Sequence, residues 1–253
     1  MMKSASLILL FLNVVMVKQT YAQSILAVSQ DFLYAVRTDS QKEVDSLQLI
    51  LANSDWDNFK KQIDTDDKKV AFWLNIYNAY IQFYLSKNTD LYQSRSRFFG
   101  KQQIKIASRL FSFDEIEHGI LRKSKNKLSL GYFRKLCEKN AIKALRVHKP
   151  DYRIHFALNC GAESCPPIAY YEAENIDKQL NIAEEAFISS NTTVNEKEKA
   201  VYTNKIFSWF RGDFGGKKGI KKLLVKHGIS QAATYSLKFN DYSWNLELKK
   251  YAK

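Results

Sequence analysis

Arg153-Ile-His-Phe-Ala-Leu-Asn-Cys160-Gly-Ala-Glu-Ser-Cys165-Pro-Pro167 gathers two of the chain's three cysteines and one of its four histidines into fifteen residues. Its first half places Ile154, Phe156 and Leu158 on one face and Arg153, His155, Ala157 and Asn159 on the other, which predicts a strand over residues 153–159 with a buried face. Gly161 ends the alternation, and the paired prolines hold Cys165 in an extended backbone. Around this centre, further strands are expected at residues 104–111 and from residue 201. They stand between helical stretches without a regular strand–helix repeat, so the expected class is α+β: a single domain, residues 23–253, of short helices packed around a small sheet.

Four other segments accompany the central one. They are Ala71-Phe-Trp-Leu-Asn75-Ile-Tyr-Asn78-Ala-Tyr80, Ile116-Glu117-His118-Gly-Ile-Leu-Arg122, Ile206-Phe-Ser-Trp-Phe210 with Asp213-Phe214, and Tyr242-Ser-Trp244-Asn-Leu246. With the run of His155, Cys160, Cys165 and Pro166-Pro167, these motifs resemble the domain of unknown function 547 family over roughly residues 70–247. Tyr152, Ser243 and Glu247 depart from the residues usual in that family. The resemblance implies no settled activity. It raises the weight of Glu117 and His118 as functional residues, and it leaves a papain-like or transglutaminase-like arrangement as the fold to test, although no cysteine stands at the start of the helix near Val70.

Residues 1–22 read as a secretory signal peptide: Lys3, an apolar run from Leu7 to Val17 interrupted by Asn13, and Thr20-Tyr21-Ala22 as a small-x-small cleavage pattern. The expected product is periplasmic or extracellular. The 39 basic residues outnumber the 26 acidic ones, for a net charge of +13. The leader would remove only Lys3 and Lys18, so the mature chain stays basic. Its lysines are scattered, which disfavours nucleic acid as a partner and makes a membrane surface the weaker reading beside a solvated face. The expected partner is a small-molecule or peptide substrate, with no cofactor.

Short helices are expected over residues 24–63. A stronger one, capped by Asp66 or Asp67, runs over residues 70–85 and is apolar nearly all round. Asn75, Asn78 and Gln82 fall on one of its faces, as amides that brace neighbouring loops or that face an active site. Ser112 and Glu115 form a capping box ahead of Glu117 and His118. Neighbours on an α-helix diverge, so Glu117 is not expected to orient His118. Residues 131–145 read as a helix with Cys137 in the core, and residues 174–188 as an amphipathic helix. Arg211-Gly-Asp213 is a frequent chance match and carries no weight.

The chemistry of His118, His155, Cys160 and Cys165 admits three readings. In a cysteine hydrolase or acyl transferase for an amide, ester or thioester, Cys165 is the nucleophile, His118 or His155 its base, and Asn75 or Glu117 the orienting group. Cys160, sharing strand parity with Leu158, then points inward and stays inert. In a secreted binding module, Cys160 and Cys165 form a structural disulfide, which over so short a loop stabilises by on the order of 2 kcal/mol. A zinc site has looser spacing than a zinc knuckle and ranks below both.

Overall fold

Three helices open the part of the chain described by the computed structural model, residues 24–252: α1 (Ile25–Arg37), α2 (Gln41–Asn53) and α3 (Trp56–Gln62). Ser24 and Asp55 cap the first and third through side-chain oxygens that accept from Ala27 N and Asn58 N. The proposed leader and its cleavage point lie outside the described residues. The long helix α4 (Asp66–Lys87) is capped one residue earlier than expected, by Thr65, whose hydroxyl accepts from Lys68 N; Asp66 and Asp67 fill its first turn, where negative charge suits the helix dipole.

Helix α4 is buried without a break from Lys69 to Gln82 and packs against α1. Its rings Phe72 and Trp73 meet edge to face at 5.0 Å, and Trp73 meets Phe111 at 5.3 Å. The three amides on this helix brace irregular backbone of later segments. Asn75 donates to Tyr171 O at 2.9 Å and accepts from Tyr171 N at 3.0 Å, Asn78 bonds Ala157 O and Asn159 N, and Gln82 accepts from Lys249 N at 2.7 Å. Asn78→Ala should therefore cost about 2 kcal/mol in urea unfolding, because it strands a buried carbonyl and a buried N–H.

After α5 (Arg95–Gly100), the strand expected over residues 104–111 is a hairpin of β1 (Ile104–Ile106) and β2 (Arg109–Phe111). Ala107 and Ser108 turn with φ of 47° and 59°, and their N–H groups are held by Leu51 O and Ala52 O at the end of α2. A π-helical segment, Glu115–Leu121, follows.

The expected helix over residues 131–145 is confined to α6 (Asn140–Leu145). Leu130 and Gly131 adopt φ of 51° and 87°, which breaks any helix there, and Cys137 is exposed rather than in the core. Gly131 is required, since a Cβ would stand 2.4 Å from Asp213 Oδ1.

The predicted central strand is absent as well. Tyr152–Phe156 is a 3-10 turn, capped by Asp151, whose carboxylate accepts from Arg153 N at 2.9 Å. Asn78 then takes the carbonyl and N–H of Ala157 and Asn159 that a neighbouring strand would have used. The amphipathic helix α7 (Ile176–Asn191) forms as expected, with Leu180, Phe187 and Ile188 buried. The sheet lies beyond it: β3 (Thr193–Asn195), β4 (Ala200–Thr203) and, after α8 (Ile206–Trp209) and α9 (Gly216–Lys226), β5 (Ser236–Phe239). Its order is β3-β4-β5, antiparallel then parallel, so a mostly helical chain with two small sheets keeps the expected α+β class.

Two apolar clusters result, one around α4 and one around Phe156, Phe207 and Phe214, and Tyr242 packs against both. The tail that carries Tyr242 pairs with the cysteine loop: Glu163 N donates to Asn245 O and Glu247 N to Gly161 O, each at 2.8 Å.

Candidate functional site

The π-helical segment is set by its capping box. Ser112 Oγ accepts from Glu115 N at 3.1 Å, and Glu115 Oε2 accepts from Ser112 N at 3.0 Å. Arg122 N reaches five residues back to Glu117 O, the wide winding that often marks functional sites. This winding brings Glu117 Oε1 to 3.5 Å from His118 Nδ1, nearer than the divergence of neighbours on an α-helix suggests.

Arg122 is 1% exposed, and its Nη1 sits 2.8 Å from His118 Nδ1. A guanidinium only donates, so Nδ1 accepts and the imidazole proton is on Nε2, which faces Asp114 Oδ1 at 3.7 Å. Burial first, with the Arg122 charge adding to it, holds His118 well below its ordinary pKa, and it is neutral at pH 7.

Asp213 gathers the other half. Its Oδ2 accepts from Arg122 Nε at 2.6 Å and from His155 Nε2 at 2.8 Å. Burial alone would raise this carboxyl, but the bonds to His155 and Arg122 outweigh it and hold it down at about 2. Burial pushes His155 down to about 4 against the pull of Asp213, so at neutral pH the charges that compensate Asp213 are those of Arg122 and, at 3.9 Å, Lys125. The His155 ring stacks on Phe210 at 3.9 Å, and the Arg122 guanidinium lies 4.5 Å from the centre of the same ring.

Glu117 differs from its neighbours. Desolvation pushes its carboxyl up to about 7, with the Arg122 charge only partly opposing. It is thus the group that changes protonation near neutral pH, while both histidines remain neutral. His118 can offer Nε2–H to an oxygen, and Glu117 can take or return a proton.

Cys160 and Cys165 are joined as a disulfide. Their burial is the reverse of the sequence expectation: Cys165 is 3% exposed and part of the core, while Cys160 is only half-buried. Without a strand, parity has no hold on them. Asn159 closes the loop by donating to Pro166 O and accepting from Gly161 N, and Cys165 Sγ folds back to accept from Cys160 N at 3.1 Å. The Tyr242 hydroxyl is 3.2 Å from Cys165 Sγ.

Several of these groups border one mostly apolar cleft of about 420 Å³, with Arg122 and Asp213 behind its wall. Asp114, Glu117, His118 and His155 line it together with Cys160, Cys165 and aromatic walls that include Phe210 and Tyr242. Trp209, Tyr242 and Trp244 pack on one another with ring centres 4.7–5.5 Å apart. Of the residues singled out from sequence, Cys165, His118, His155 and Glu117 meet here. Asn75 does not, because its amide is spent on Tyr171. Sequence reasoning missed the roles of Arg122, Asp114, Asp213 and Tyr242. The signal available for Arg122, Asp213 and Tyr242 was their place in the family-like motifs. Among the described residues, no group of three or more His, Cys, Asp or Glu could hold a metal ion, and no helix is long and apolar enough to cross a membrane.

The arrangement defines a class: an α+β protein whose buried Asp–Arg–His network stands beside a desolvated carboxyl at an aromatic cleft. The chain belongs to the family described as "Protein of unknown function, DUF547", which matches residues 61–188. No curated protein and no solved structure matches it.

Proposed function

We propose that the chain is an exported hydrolase or acyl transferase acting on an amide, ester or thioester, with Glu117 as its proton-transfer group. What carries this reading is a desolvated carboxyl, pushed up to about 7, standing 3.5 Å from a neutral imidazole in a largely apolar cleft. Ionised Glu117 takes a proton from water, or from an acceptor alcohol or thiol, as that oxygen or sulfur attacks the carbonyl carbon. His118 Nε2–H donates to the oxygen that gains charge. Collapse then expels the leaving group, which receives the proton from Glu117. Export, to the periplasm or the extracellular space, rests on the leader pattern of residues 1–22.

A second reading keeps Cys165 as the nucleophile. It is favoured by one contact: both sulfurs border the cleft, and Tyr242 OH approaches Cys165 Sγ at 3.2 Å. A dithiol would first have to reduce the bond to Cys160, leaving one thiol on each residue and the dithiol as a disulfide. The test is a panel of aryl ester, anilide and thioester substrates, assayed with and without dithiothreitol, with intact-mass counting of free thiols. Turnover without reductant that falls about 10²-fold in Glu117→Gln is expected. Turnover only after reduction, abolished in Cys165→Ala, would move the reaction to the thiol. No turnover under either condition favours the secreted binding module with Cys160–Cys165 as a structural staple.

A further inference from the structure

The connection between the π-helical segment and α6 carries an exposed apolar surface that the core does not use. Leu128 is 90% exposed, Phe133 73% and Leu136 101%, with Tyr132 and Leu130 also exposed. Side chains of this size gain by leaving water, and clustered exposure of this kind marks an interaction site. The same segment, residues 123–139, holds Lys123, Lys125, Lys127, Arg134, Lys135 and Lys139 against a single acid, Glu138. Lys127 and Lys139 are paired with Asp114 and Glu115, and Lys123 donates to the His148 carbonyl, whereas Arg134 and Lys135 are exposed and lie in no ion pair among the described residues.

The loop is held in shape rather than loose. Asn126 N donates to Phe133 O at 2.8 Å, Lys135 N to Ser124 O at 2.8 Å, and Gly212 N to Leu130 O at 2.7 Å. Bonding at its base fixes the segment that carries these apolar side chains, with the cations interspersed among them in sequence. A bilayer with anionic headgroups complements both features: the apolar side chains enter the acyl boundary while Arg134 and Lys135 meet the phosphates. We propose that this loop docks the protein on an anionic lipid surface. Lys127, Leu128 and Leu130 also line the cleft, so docking sets the cleft mouth against the membrane. If the catalytic reading holds, the substrate is then a membrane-borne acyl amphiphile, but docking itself does not depend on catalysis.

The test is co-sedimentation of the full mature chain with vesicles of phosphatidylglycerol and phosphatidylcholine, and with phosphatidylcholine alone. Binding to the anionic vesicles is expected, at least tenfold weaker to the neutral ones, and weakened tenfold or more by Phe133→Ser with Leu136→Ser and by Arg134→Glu with Lys135→Glu. Thermal melting should be unchanged, since all four side chains are exposed. The proposal is overturned if the wild type does not sediment with anionic vesicles, or if the Phe133/Leu136 variant binds as the wild type does. A concentration-dependent dimer that only this variant loses would equally overturn it, assigning the surface to a second copy of the chain. Because the readout is sedimentation, a failure here leaves the acyl-transfer reading to its own assay.

Discussion

Asp213→Asn is expected to lower the unfolding free energy by roughly 3–5 kcal/mol at pH 7, since removing one member of a buried ion pair leaves its partner charge uncompensated. The partner is Arg122, 1% exposed, joined to Asp213 Oδ2 through Nε at 2.6 Å. Its Nη2 is already without a hydrogen-bond partner, so little is left to absorb the loss. Asparagine keeps the shape and can still accept one bond, but it carries no charge, and its amide would set an N–H against Arg122 or His155 in one of its two orientations. The effect is pH-dependent. The folded carboxyl sits at about 2, below its ordinary value of 3.8, so its contribution is present in full above that value and is lost as pH falls through 2. Urea midpoints at pH 7 and pH 2.5 should therefore differ between wild type and variant by much less in acid than at neutrality. A variant as stable as the wild type at pH 7 would remove Asp213 as the anchor of the site.

Glu117→Gln is expected to act in the opposite direction. The native carboxyl keeps its proton up to about 7, whereas the unfolded chain loses it near the ordinary 4.5. Between those values the native state binds more protons, so stability falls as pH rises through the window, by on the order of 3 kcal/mol in total. Glutamine cannot ionise. It should match the wild type near pH 4.5 and exceed it by up to about 3 kcal/mol at pH 8, read from denaturant midpoints at the two pH values. A stability gain accompanied by lost turnover would mark a group retained for chemistry against its cost to the fold. Equal midpoints at pH 8 would mean that Glu117 is solvated and not functionally tuned.

Features governed by residues close in sequence were legible before the structure. The capping box of Ser112 and Glu115 forms as read, and the apolar run of α4 lies in the interior with its amides turned to backbone groups. The helix of residues 174–188 followed from periodicity in the same way. What failed depended on partners far along the chain. Alternation over residues 153–159 looked like a strand, but Asn78, about eighty residues away, captures the backbone that a ladder would need. Asp213 was discounted as part of a chance tripeptide, although it meets Arg122 across 91 positions and His155 across 58. The π winding that sets Glu117 against His118 had no pattern in the sequence to announce it. The paired prolines restrict the backbone at Cys165, but they do not report which way its sulfur turns.

Carbon-detected NMR titration of the glutamate side-chain carboxyls tests the central claim, that this cleft holds an acid–base group poised at neutral pH, without any assumption about substrate. Assignment comes from the resonance missing in Glu117→Gln. A carboxyl titrating near 7, absent from that variant, is the predicted result. A Glu117 resonance titrating near 4.5 with the other glutamates would contradict it.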